Sequence, residues 1–71
     1  RKLSFKEQRE LETIEKEMPA WEIQRTKLLE QLNNETDYQK ISSLSTELKT
    51  LTDQLESHEM RWLELQDIIE N

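Results

Sequence analysis

Apolar residues recur at alternating intervals of three and four from Ile41 to Ile69: Ile41, Leu44, Leu48, Leu51, Leu55, Trp62, Leu65 and Ile69. Only His58 breaks the series. A 3.5-residue repeat on a helix of about 3.6 residues per turn gives a narrow, nearly straight seam, so this stretch predicts a helix packed lengthwise against another. The same interval runs through the first half of the chain, in Leu11, Ile14, Met18, Trp21, Arg25, Leu28 and Leu32.

The punctuation between the periodic stretches divides the chain. Ser4-Phe5-Lys6-Glu7 reads as a capping box, in which the Ser4 hydroxyl and the Glu7 carboxylate each accept from the other's backbone N–H, and predicts a first helix over 5–17. Pro19, the only proline, cannot donate to residue 15 and disfavours a helical Met18, yet suits the first position of a helix. A second helix over 19–33 is therefore expected. The seam keeps its phase across Pro19, which fits either a kink or a break with near-collinear continuation. Without glycine, Asn33-Asn34 is best suited to a left-handed C-cap, and Thr36-Asp37-Tyr38-Gln39 offers a second capping box. That sets a turn at 33–36 and a third helix over 37–70, about 50 Å long. Its many Ser and Thr residues are indifferent helix formers, so its helicity must come from packing.

A turn this short implies antiparallel neighbours. Centring it between Asn34 and Glu35 sets Leu28 opposite Ile41, Arg25 opposite Leu44, Trp21 opposite Leu48, Met18 opposite Leu51, Ile14 opposite Leu55 and Leu11 opposite His58. The second helix covers only half of the third, and the first must cover the rest, or a second chain must. The expected fold is all-α: an antiparallel two-helix coiled-coil hairpin preceded by a shorter N-terminal helix, in one domain over 1–71.

Composition supports this architecture. The chain has 71 residues, 32% hydrophobic and 37% charged, with no glycine or cysteine, which suits long helices with wide solvated faces. Absence of cysteine excludes disulfides and thiolate metal sites, and makes a reducing compartment the simpler expectation. No apolar run approaches the ~20 residues of a membrane span. The chain opens at Arg1 and is expected to be a fragment of a longer protein.

Charge redraws the picture more than composition does. The net charge of −6 disfavours nonspecific attraction to phosphates. Arg1, Lys2, Lys6 and Arg9 nevertheless crowd the N-terminus, and Arg25, Lys27, Lys40 and Lys49 balance the acids near the turn. These eight are the candidate phosphate contacts, weighed against ordinary solvated faces and, at the N-terminus, a linker. The pairs Lys6–Glu10 and Glu12–Lys16 have the i,i+4 spacing of weak helix ion pairs. Trp62 is expected in the core at the hairpin base against Phe5 and Leu11, with Trp21 also in the core. Arg25 is expected to lay its stem over Leu44. His58 reads as a half-solvated, register-setting polar residue; its helical neighbours Gln54 and Trp62 exclude a metal site. Carboxylate pairs on convex helices lack a pocket, so no catalytic residue, cofactor or metal is expected in these residues.

Several strings resemble one family. Leu3-Ser4-Phe5-Lys6-Glu7-Gln8-Arg9-Glu10-Leu11-Glu12 is similar to the opening of the C-terminal domain of ABC-F proteins, especially the Uup-like branch. There such a string precedes a proline, a Glu/Leu-rich helix, a polar turn ending in an aspartate-aromatic pair (here Asp37-Tyr38) and a closing R-W-x-E-L, here Arg61-Trp62-Leu63-Glu64-Leu65. The resemblance covers nearly the whole chain in order. It implies a cytoplasmic parent with two ATP-binding cassettes, using ATP and Mg, that acts on the ribosome and translation. It also implies a DNA-binding coiled-coil hairpin in this part of it. A glycine-free chain cannot hold the phosphate-binding loop of such cassettes. The expected role is a non-catalytic interaction domain that contacts DNA or ribosomal RNA. The alternative is a protein–protein module that docks on the parent's own ATP-binding domains or pairs two chains, a monomer being favoured over a homodimer.

Overall fold

The computed structural model describes residues 2–70. They form two helices, α1 (Phe5–Asn34) and α2 (Tyr38–Glu70), packed as an antiparallel hairpin of 52 × 17 × 15 Å. The all-α hairpin is as the heptad pattern predicts.

The start of α1 follows its sequence signal. Ser4 caps it, with Glu7 N–H donating to Ser4 Oγ at 3.1 Å and Ser4 N–H donating to Glu7 Oε1 at 2.9 Å. Such a cap is worth about 1 kcal/mol. The expected division at Pro19 is absent: α1 runs unbroken from Phe5 to Asn34 with Pro19 inside it. A proline in a helix interior costs about 3 kcal/mol, and here packing on both sides offsets that cost. Ile14 before it and Leu28 beyond it are buried, while Met18 and Trp21 lie against the Leu28–Leu51–Leu55 cluster. Breaking the helix would strip α2 of half its cover.

The turn also differs from expectation. It occupies residues 35–37, and no described residue has positive φ. The C-cap is Glu35, in extended conformation at φ −88° and ψ 139°, with its N–H 3.4 Å from the Leu32 carbonyl. Its carboxylate accepts from the N–H groups of Thr36 and Asp37 at 3.1 and 3.0 Å. A carboxylate that satisfies these donors removes the need for a left-handed asparagine. Asp37, not Thr36, caps α2: its carboxylate accepts from Gln39 N–H at 2.9 Å, and its charge suits the positive end of the helix dipole.

The register lies about half a heptad, one helical turn, from the sequence-based pairing. Trp21 stacks on His58 with ring centroids 4.6 Å apart, and His58 Nε2 is 3.7 Å from Glu17 Oε2. Trp21 therefore lies beside His58, not opposite Leu48, and His58 does not face Leu11. With the turn centred on Thr36, seam partners sum to 72 or 73, which sets Leu11 level with Trp62, Ile14 with His58, Met18 with Leu55, Trp21 with Leu51, Arg25 with Leu48, Leu28 with Leu44 and Leu32 with Ile41. Ile14 and His58 line one inter-helix groove, and Trp21 and Leu51 another. Two effects act in the same direction. The turn is centred later than expected, and Cα–Cβ bonds tilt toward each helix's N-terminus. That tilt carries α1 side chains toward the hairpin base and α2 side chains toward its tip. Leu65 is fully buried as a result, whereas Ile69, also a seam position, is 50% exposed near the end of α1's cover.

Replacing Pro19 by Ala restores a backbone donor without touching the seam. It is expected to raise unfolding free energy by up to about 3 kcal/mol in denaturant titrations. A neutral result would show that α1 is broken there.

Candidate nucleic-acid interface

The two groups of bases occupy opposite ends of the hairpin. At the tip, Lys27 and Lys40 line one shallow groove with Glu30, Gln31, Asn34, Glu35, Ser43 and Leu44. The turn's own acids are engaged there, Glu35 by two backbone N–H groups and Asp37 by one, so Glu30 is the carboxylate left to face the two lysines. Arg25 does not join them: it is half-buried on the seam. Lys49 is exposed and paired with Asp53 at 3.5 Å. At the base, Lys2, Lys6 and Arg9 are exposed, and Arg1 lies outside the described residues. The Arg9 guanidinium sits 5.6 Å from the centre of the Phe5 ring. Phe5 is 74% exposed and so does not cover Trp62. The Trp62 indole N–H instead reaches Glu15 Oε2 at 3.4 Å, and Trp21, like Trp62, is half-buried.

Sequence reasoning did not single out Arg61 as a functional cation, although it noted the string that contains it. Its Nε and Nη2 donate to the two carboxylate oxygens of Glu10, each at 2.9 Å, and its Nη1 donates to Glu64 at 2.9 Å. A bidentate fork of this kind ties α1 to α2 at a fixed height. It also takes Glu10 away from Lys6: neither Lys6–Glu10 nor Glu12–Lys16 forms an ion pair, so Lys6, Arg9, Lys16, Lys27 and Lys40 keep uncompensated charges. The signal for Arg61 was present in its pairing distance from Glu10, but only the correct register reveals it.

The hydrogen bonds from Arg61 hold the Glu10 carboxyl below its ordinary pKa; slight burial opposes this, and the Arg61 and Lys6 charges assist it. Glu10 and Glu64 in turn push the Arg61 guanidinium pKa up. His58 Nε2 is buried without a hydrogen-bond partner, consistent with a polar residue placed on the seam beside Glu17 and Trp21. Among the described residues no group of three or more His, Asp or Glu side chains could hold a metal ion, and no helix is long and apolar enough to cross a membrane.

Comparison with known proteins adds one finding. The family model of the ABC transporter C-terminal domain matches residues 2–67. No curated protein and no solved structure gives a significant match.

Because its folded pKa is depressed, Glu10 contributes stability that is present above the ordinary 4.5 and is lost as pH falls through the folded-state value. An NMR titration of its side-chain carboxyl is expected to show a midpoint below 4.5 that returns toward that value in Arg61→Met. Identical midpoints in the two proteins would contradict the fork.

Proposed function

Because this chain belongs to the ABC transporter C-terminal domain family, we propose that it is the non-catalytic C-terminal interaction domain of a cytoplasmic ABC-F (Uup-like) ATPase. In this reading it contacts DNA or ribosomal RNA through basic side chains. The observation that supports this most is the meeting of Lys27 and Lys40 in one groove at the tip, where the turn's carboxylates are occupied by backbone donors. Lysines held this way bind phosphate oxygens without reading bases, so affinity depends on salt and tolerates sequence. The ATP and Mg chemistry belongs to the parent's cassettes.

The alternative, docking on the parent's own ATP-binding domains, draws on the opposite end. Phe5 and the uncovered seam residue Ile69 are 74% and 50% exposed at the base. Pairing of two chains through the seam is disfavoured, because α1 already covers α2 as far as Leu65. The chain is therefore expected to sediment as a monomer.

A salt titration of binding to duplex DNA and to structured RNA tests the proposal. Binding at low ionic strength is expected, lost as salt rises, and weakened by Lys27→Glu/Lys40→Glu with helicity unchanged. No binding at low salt would overturn it.

A further inference from the structure

The bases of α1 are not two patches. At 3.6 residues per turn, Lys6, Arg9, Lys16 and Lys27 fall within roughly a quarter of the helix circumference. Arg25 is the one base of α1 outside this arc. Positions 9 and 16 share one heptad position, as do 6, 13, 20 and 27, so the row keeps step with the seam instead of winding around the rod. Thr13 and Ala20 fill its intermediate positions. Thr13 lines the same groove as Ser57 and Arg61, and Lys27 lines the groove at the tip, which puts the Lys6–Lys27 side of the row beside the cleft between the helices and Arg9 and Lys16 on the outer face of α1. All four bases are exposed, and among the described residues none is within ion-pair distance of a carboxylate.

Most acids on this side are engaged or lie across the cleft on α2: Glu64 is paired with Arg61, and Glu47 lines the α2 edge of the cleft. Glu10 and Glu17, which project toward the same groove, are occupied with Arg61 and set beside His58 respectively. Glu15 and Glu22, one heptad apart, lie on the other side of the seam, as the Glu15–Trp62 contact shows. On α2, Glu59 and Glu70 project to that same side by helical phase. Glu12 flanks the row along its outer edge, and Glu30, on the heptad position of Arg9 and Lys16, ends it beside Lys27. A chain of net charge −6 is therefore electrically two-sided.

We infer that Lys6, Arg9, Lys16 and Lys27 form one continuous phosphate-binding row, on which a nucleic-acid duplex lies lengthwise along α1. This rests on the nucleic-acid reading above and moves its site from the tip to the flank. The row spans about 30 Å at 1.5 Å per residue, close to the roughly 34–36 Å of one duplex turn. A straight line of single charges with few apolar anchors suits a regular polyanion better than a folded protein surface. The acidic side repels the same polyanion, which leaves the duplex one way to approach.

The salt dependence separates flank from tip. Four phosphate contacts give a slope of log K against log salt of about −3.6, whereas the tip pair alone gives about −1.8. The experiment measures anisotropy of labelled DNA and RNA duplexes with the wild-type chain, with Arg9→Glu/Lys16→Glu and with Lys49→Glu. The row predicts a slope near the larger figure. It also predicts at least a tenfold loss for the double variant at low salt with unchanged helicity, and no change for Lys49→Glu, whose lysine is off the row. Arg9→Gln/Lys16→Gln, which adds no repulsion, is expected to bring the slope near −1.8. The two duplexes distinguish DNA from RNA as the source of the phosphates. Binding that survives in both double variants but is lost in Lys27→Glu/Lys40→Glu would overturn the row and leave the tip reading standing. Absence of wild-type binding would overturn both.

Discussion

Among the described residues Leu65 is the one large side chain wholly removed from solvent, and covering it constrains everything upstream. Burying a leucine is worth about 2 kcal/mol, a large share of what a two-helix hairpin can retain. Leu65 lies near the far end of α2 from the turn, so its cover must come from the first turns of α1. That requires α1 to reach the base, to run through Pro19 without breaking, and to hold one register. Sliding α1 by one helical turn to the sequence-based pairing would keep most seam contacts but set Leu65 level with Ser4, where α1 has not begun. The seam repeat is nearly indifferent to such a slide; the ends of the helices are not.

Polar contacts at the base work in the same direction. The Trp62–Glu15 hydrogen bond and the Glu17–His58–Trp21 group favour this alignment over the sequence-based one, and the Arg61 fork onto Glu10 ties the two helices together beside them. Exposed ion pairs stabilise little individually, so their effect lies in the choice among alignments that bury similar apolar area. The orphaned His58 Nε2 is the cost on the other side: a polar atom on the seam, tolerated where a leucine would pack better but specify less. The same contacts shape the surface, because acids drawn into the groove leave the α1 bases unneutralised.

Much of the fold was legible because its signals are local or periodic. The Ser4–Glu7 box is a four-residue pattern, and the seam declares itself in Leu and Ile spacing. Register was not, since it depends on where the turn is centred and on side-chain tilt, and a slip of one helical turn again sets seam residues opposite seam residues. The turn was misread because Glu35 carries no conventional capping signature, although its carboxylate takes two backbone donors. Pro19 was read by its local cost, when packing on both flanks decides. Of the candidate interface, the sequence marked most of the bases but grouped them by proximity along the chain. Lys16 was passed over, while Arg25, on the seam, was included. Helical phase, together with the register that occupies Glu10, is what aligns them.

The register is tested most directly by nuclear Overhauser effects within the hairpin. The account predicts cross-peaks between the Trp21 indole and the His58 ring, whose centroids are 4.6 Å apart, and between Trp21 and Leu51, which line one groove. Cross-peaks from Trp21 to Leu48 and from Leu11 to His58, without those, would place the helices in the sequence-based register and contradict it.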